Sequence, residues 1–164
     1  MDNLRTETEL KDQGEYMLLL EKMRGKRLAI VCAQERFKFY EQTLAKYDCK
    51  IDIYYYNFRK LMRDIRTNPQ KYDGIIVHGV DVDEYNPVDR LIYRLKQIRK
   101  LGVPVVVVNL SGNSTIFSNL PMALQRLGFP IVDPQFRLDI EQFDYQTELL
   151  SVLREMNKLF VAQS

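Results

Sequence analysis

The chain has 164 residues, of which 46% are apolar and 28% charged, and its 24 basic side chains nearly balance 22 acidic ones. A chain of this length and apolar content is expected to bury a substantial core as one domain, which excludes an intrinsically disordered protein. The charges are unevenly distributed, because residues 25–134 hold 17 basic and 11 acidic side chains. Residues 1–24 hold four basic and six acidic side chains, and residues 135–164 hold three basic and five acidic ones.

Several functional classes are excluded before any motif is considered. No apolar run reaches the roughly 20 residues that cross a bilayer, and residues 1–7 lack the features of a secretory signal. The two cysteines, Cys32 and Cys49, lie in strand-like stretches and are expected to be buried thiols of a reducing cytoplasm. The single histidine, His78, leaves too few ligands for the usual zinc sites, and the glycines match no dinucleotide or phosphate-loop pattern. We expect a cytoplasmic protein that is not an enzyme and has no cofactor.

An amphipathic helix is predicted over residues 7–23, where leucine and methionine recur near helical spacing and Gly25 follows as a stop. Residues 1–25 would then form an amino-terminal helical extension of a main domain at residues 26–164. The apolar face of this helix could pack on its own domain or on a second copy of the chain, as in a homodimer.

From residue 26 onward the apolar pattern alternates between strand and helix. Strands are predicted at residues 28–33, 51–56, 73–78, 103–108 and 129–132. Helices are predicted at residues 35–47, 59–66, 86–101, 121–127 and 144–160. This alternation predicts an α/β fold, a doubly wound five-stranded parallel sheet in the flavodoxin-like order 2-1-3-4-5, with the extra helix at the amino terminus.

Two strand motifs carry a resemblance to a known family. They are the Asp-Gly-Ile-Ile-Val run at residues 73–77 and the Gly-Val-Pro-Val-Val-Val-Val run at residues 102–108, and a proline and an amphipathic helix follow the last strand. The segment from Lys26 to about Phe160, roughly four-fifths of the chain, resembles the receiver domain of bacterial response regulators. The resemblance rests on pattern and spacing, without a diagnostic motif.

This resemblance implies a phosphorylation site at the carboxyl ends of the strands. The acidic pair of the receiver family's site corresponds to Cys32 and Ala33, and its phosphoacceptor aspartate to His78. The family's hydroxyl residue corresponds to Ser111 and its lysine to Asp133. Only Ser111 matches, because Cys32 and Ala33 offer Mg²⁺ no hard oxygen ligand and Asp133 would repel a phosphoryl group. The resemblance therefore implies a degenerate pseudo-receiver, a non-catalytic signalling or scaffold protein that binds protein partners and undergoes no aspartyl phosphorylation.

Other interpretations of these loops stay open. His78 could be a phosphohistidine or general base, or a neutral histidine at a strand end. The acidic loop at residues 81–84 could bind a cation or be a solvated helix start, and the polar loop at residues 109–114 could bind an anion or serve in turns and caps. Residues 102–134 are also similar to the flavodoxin-like domain of nucleoside-diphosphate-forming acyl-CoA ligases. This similarity implies that the alternative function is a small-molecule, CoA or nucleotide-binding domain. Flavin binding is a third possible function.

Much of the basic excess falls on the two predicted helices at residues 59–66 and 86–101, which are neighbours on one face of a sheet of order 2-1-3-4-5. The candidate partner-binding patch consists of Arg59, Arg63, Arg90, Arg94 and Arg99. An acidic protein is the expected partner of this patch. Nucleic acid is not favoured, because no aromatic residues are interleaved with the basic ones. The alternative to a binding patch is a solvated surface without a partner. The resemblance also implies an output surface within residues 121–160, with self-association as one outcome.

Overall fold

The computed structural model describes residues 7–32, 34–55, 57–78, 88–108, 124–132, 136–137, 142–143 and 145–163. The helices are α1 (Glu7–Lys22), α2 (Gln34–Ala45), α3 (Phe58–Thr67), α4 (Val88–Lys100), a helical turn α5 at residues 124–126, and α6 (Tyr145–Gln163). The strands are β1 (Arg27–Val31), β2 (Lys50–Ile53), β3 (Gly74–His78), β4 (Val105–Val108), β5 (Ile131–Val132), β6 (Phe136–Arg137) and β7 (Gln142–Phe143).

Strands β1 to β5 form one all-parallel sheet in the order β2-β1-β3-β4-β5, so the predicted α/β, flavodoxin-like fold with an amino-terminal helix is confirmed. The central strands consist mostly of apolar residues because both of their faces are covered. Ile30, Ile76 and Val106 pack towards α1, α2 and α6, whereas Ile75 and Val107 pack towards α3 and α4. The two helical layers therefore have separate cores on opposite faces of the sheet.

Strands β4 and β5 begin two residues later than predicted, at Val105 and Ile131, and two further features of the sheet differ from the predicted pattern. Strand β2 ends at Ile53, three residues earlier than predicted, and the ring of Tyr54 that follows is buried in the core beneath α3. Strands β6 and β7 form a short antiparallel pair that was not predicted. Strands of two residues are too short to produce an alternation of apolar and polar side chains, and so they leave no pattern in the sequence.

Helix α1 packs on its own domain. Leu20 and Met23 are buried in the same core as residues of α2 and α6, and Gly25 ends the segment with a positive φ of 77°. Arg154 of α6 holds the solvent side of α1: its Nε and Nη2 donate to the two carboxylate oxygens of Glu15, each over 2.7 Å, and Nη2 also donates to Asp12 over 3.1 Å. Of the two placements open from the sequence, the described residues adopt the first.

Replacing Arg154 by alanine should lower the free energy of unfolding by about 0.2–1 kcal/mol at pH 7, because these ion pairs are partly exposed to solvent. The hydrogen bond from Arg154 holds the pKa of Glu15 below its usual range. A carboxylate of this kind stabilises the fold above its unfolded pKa of about 4.3 and ceases to do so as the pH falls through its folded value. The difference between the two chains in urea denaturation should therefore shrink towards pH 3.

Lys158→Ala is the matched control, because it removes an exposed ion pair with Glu155 on the same helix. We expect the control to change the free energy of unfolding by less than about 0.5 kcal/mol at either pH. A stability difference for Arg154→Ala that grows on acidification would contradict the assignment.

Among the described residues, no helix is long and apolar enough to cross a membrane.

Candidate functional site

The carboxyl ends of the central strands bring together two residues of the predicted degenerate receiver site. Val31 of β1 is in register with Val77 of β3, so the residues that follow them, Cys32 and His78, end neighbouring strands side by side. Both are fully buried, and the ring centre of Tyr40 lies 6.4 Å from that of His78. Burial of this kind fits a strand-end histidine; a phosphoryl-accepting role for His78 stays a prediction.

The other predicted positions of that site, Ala33, Ser111 and Asp133, lie outside the described residues, as do the loops at residues 81–84 and 109–114. The apolar pattern did not indicate that Glu148 would be buried, yet this residue is buried near the start of α6. Across the described ranges, no group of three or more histidine, cysteine, aspartate or glutamate residues could hold a metal ion.

A basic groove lies on the opposite face of the sheet, between α3 and α4. The inner faces of both helices pack into one apolar core through residues such as Leu61, Ile65, Leu91 and Leu95. The side chains between the two inner faces line an open groove of about 680 Å³. They are Arg59, Met62, Arg63, Arg66, Thr67, Arg90, Tyr93, Arg94 and Gln97. Five of these described lining residues are arginines and none is acidic, and we call this set the arginine groove.

Helical spacing places the arginines in rows. Arg59 and Arg63 lie four residues apart on α3, and Arg90 and Arg94 lie four residues apart on α4. At a rise of 1.5 Å per residue, the Cα atoms of successive arginines in a row are about 6 Å apart along the helix axis. The two rows belong to adjacent crossovers of the parallel sheet, so each flanks one side of the groove.

Helix α3 is fixed in place at both ends. The side chain of Asn57 caps its first turn by accepting a hydrogen bond from the backbone N–H of Lys60 over 3.0 Å. Towards its carboxyl end, the hydroxyl of Tyr54 donates to Asp64 over 2.6 Å and lies 2.7 Å from the hydroxyl of Tyr72. Burial raises the pKa of Tyr54 to about 12, so it remains a neutral hydrogen-bond donor at physiological pH.

The one acidic residue of α3 does not neutralise the groove. Asp64 accepts from Tyr54, which holds the pKa of its carboxyl group below the usual range, and Lys71 lies 3.6 Å away. Asp64 is not among the lining residues. Within the part of the chain that the structure describes, Arg59, Arg63, Arg66 and Arg90 form no ion pair. The positive charge of these four arginines is therefore not neutralised by any described carboxylate.

Arg99, the fifth residue of the predicted patch, lies away from the groove. Its guanidinium carbon is 4.2 Å from the ring centre of Phe129, and the group donates to the carbonyl of Leu127. Nine residues separate Arg99 from Arg90, and at 100° per residue they face opposite sides of α4. The structure thus brings together Arg59, Arg63, Arg90 and Arg94 and adds Arg66, with Met62, Tyr93 and Gln97 as lining residues that the charge pattern did not indicate.

Comparisons with known proteins leave the chain without a family. No protein-family model and no curated protein matches it. Among solved structures, the pyridoxal-5′-phosphate-dependent protein YhfS from Escherichia coli is 18% identical over 57% of this chain, with a TM-score of 0.39. The chain covers about a quarter of that protein's length. A likeness at this TM-score carries no argument about function. Any proposal about function therefore rests on the arginine groove.

Proposed function

We propose that the chain is a non-catalytic interaction module, a pseudo-receiver that works as a signalling or scaffold protein, and that its arginine groove binds an acidic segment of a partner protein. The observation that carries this proposal is the set of five arginines around one groove with no carboxylate among its described lining residues. Four of these arginines, all but Arg94, have no described acidic partner, and unneutralised charge of one sign attracts a partner of the opposite sign and accelerates the encounter.

The remaining lining residues support a protein partner. Tyr93 is 60% exposed at the groove, and Met62 contributes to its floor. An exposed aromatic ring beside arginines is typical of the residues that dominate binding at protein interfaces. The guanidinium carbon of Arg94 lies 5.2 Å from the ring centre of Phe58, so part of the basic row is supported by an aromatic side chain of the other helix.

The groove predicts a charge-reversal result. A chain with Arg63→Glu and Arg90→Glu, one exposed residue from each helix, should bind a fluorescein-labelled twelve-residue peptide of alternating glutamate and serine at least about tenfold more weakly than wild type. The reversal replaces attraction by repulsion on both sides of the groove. Fluorescence anisotropy at two salt concentrations measures this, and the wild-type affinity should fall as salt rises.

The matched control is Lys96→Glu with Lys100→Glu, which changes the net charge by the same amount at exposed positions of α4 outside the groove lining. We expect the control to weaken binding by no more than about threefold. Equal losses in both double variants would mean that a general charge effect, rather than the groove, binds the peptide. Tighter binding of a fluorescein-labelled twelve-nucleotide oligouridine than of the peptide would favour nucleic acid as the partner.

A further inference from the structure

We infer that the arginine groove prefers a phosphorylated segment, one that carries phosphoserine or phosphothreonine, over a segment that is acidic through carboxylates alone. The inference rests on the proposed function and names the chemistry of the acidic group. Its first support is the choice of basic residue. All five basic side chains among the described lining residues are arginines, whereas Lys60, Lys96 and Lys100 of the same two helices are not among them.

Arginine and lysine differ in what they bind best. The guanidinium group is a planar fork that donates two parallel hydrogen bonds to one phosphate or carboxylate, whereas the ammonium group of lysine acts as a compact point charge. A site for diffuse negative charge gains little from a preference for arginine. The restriction of the groove to arginine therefore indicates recognition of oxyanions by paired hydrogen bonds.

The density of charge distinguishes phosphate from carboxylate. Arg59 and Arg63 on α3 and Arg90 and Arg94 on α4 flank the groove from two sides, so a group bound in the groove lies between arginines of both helices. A carboxylate brings one negative charge and two oxygens to such a position. A phosphomonoester brings about −1.5 to −2 near pH 7 and three acceptor oxygens, which suits two forks better.

The spacing of the rows fits an extended segment. Successive arginines of one helix are about 6 Å apart along its axis. Side chains two residues apart in an extended peptide lie on the same side and are about 6.6 Å apart. Two phosphorylated residues separated by one residue would therefore meet successive arginines of a row. The hydroxyl of Thr67 already donates to the carbonyl of Arg63 over 2.9 Å, which leaves Tyr93 and Gln97 as neutral donors of the lining.

Three fluorescein-labelled peptides of one twelve-residue sequence test the inference by anisotropy. They carry two phosphoserines, two glutamates or two serines at the same positions, with one residue between them. We expect the phosphoserine peptide to bind at least about tenfold more tightly than the glutamate peptide at pH 7.5. Its affinity should weaken as the pH is lowered to 5.5, because the second ionisation of the phosphate has a pKa near 6, while the affinity of the glutamate peptide should change little.

Variants and competitors separate the outcomes. Arg63→Glu with Arg90→Glu should abolish the preference for phosphoserine, and Lys96→Glu with Lys100→Glu should retain it. Equal affinities for the phosphoserine and glutamate peptides would overturn this inference and leave the proposed function standing. Failure of both peptides to bind would overturn both. Tighter binding of the oligouridine, or a preference that survives reversal of Arg63 and Arg90, would also overturn the assignment of a phosphoserine site to the groove.

Discussion

Replacement of Leu95 by alanine should lower the free energy of unfolding by about 2–5 kcal/mol, the range for truncating a fully buried leucine. Leu95 is 0% exposed and packs with residues of α3, α4 and the sheet in the core beneath the arginine groove. Truncation removes apolar contacts and leaves a cavity, because helices held by the surrounding core relax only in part. Urea denaturation followed by circular dichroism measures the change.

Lys96→Ala provides the comparison, since Lys96 is the next residue of the helix and is exposed. This control should stay within about 0.5 kcal/mol of the wild type. A loss below about 1 kcal/mol for Leu95→Ala would mean that α4 is not packed on the sheet as described, and the geometry of the groove would fail with it.

The thiol of Cys49 should react with iodoacetamide about three orders of magnitude more slowly in the folded chain than in urea at pH 8. Burial, together with the charges of Asp73 and Asp48, raises the pKa of Cys49 to about 12. At pH 8 the reactive thiolate is then about one molecule in ten thousand, compared with about a quarter of an unfolded thiol of pKa 8.5. A Cys32→Ser chain isolates this thiol, and intact-mass spectrometry over time gives its rate.

The Cys49→Ser chain reports on Cys32 in the same assay. Cys32 is fully buried at the end of β1, so its alkylation should also require opening of the fold. A folded-state rate for Cys49 within tenfold of the unfolded rate would contradict the burial of this residue between α2 and β2.

The central part of the fold could be predicted because its strands are covered on both faces. The runs around Ile76 and Val106 are apolar at every position, which is a strong pattern. The prediction of the strands at the sheet edges was less accurate. Tyr54 is a residue type typical of strands, but it lies just beyond the end of β2, and its hydroxyl contacts Tyr72 and Asp64. Pairings between residues far apart in sequence leave no local periodicity.

The arginine groove could be predicted in outline. The order of the sheet makes α3 and α4 neighbours, which is enough to bring Arg59, Arg63, Arg90 and Arg94 to one side. The separation of Arg99 also follows from helical geometry once the 180° between it and Arg90 is considered. The contact between Arg99 and the ring of Phe129 could not be predicted from helical geometry, because Phe129 lies in a different segment of the chain, after α5.

The hydrogen-bonded tyrosines beneath α3 have a consequence for protons. Three oxygen–oxygen contacts of 2.6–2.7 Å join Asp52, Tyr72, Tyr54 and Asp64 in a row. Tyr54 donates its hydrogen to Asp64, and Tyr72 donates its hydrogen to Asp52. Because each phenol carries a single hydrogen, both phenolic protons are directed to carboxylates. The row thus links an exposed residue of the edge strand β2 to the helix that bears the arginines through side chains alone.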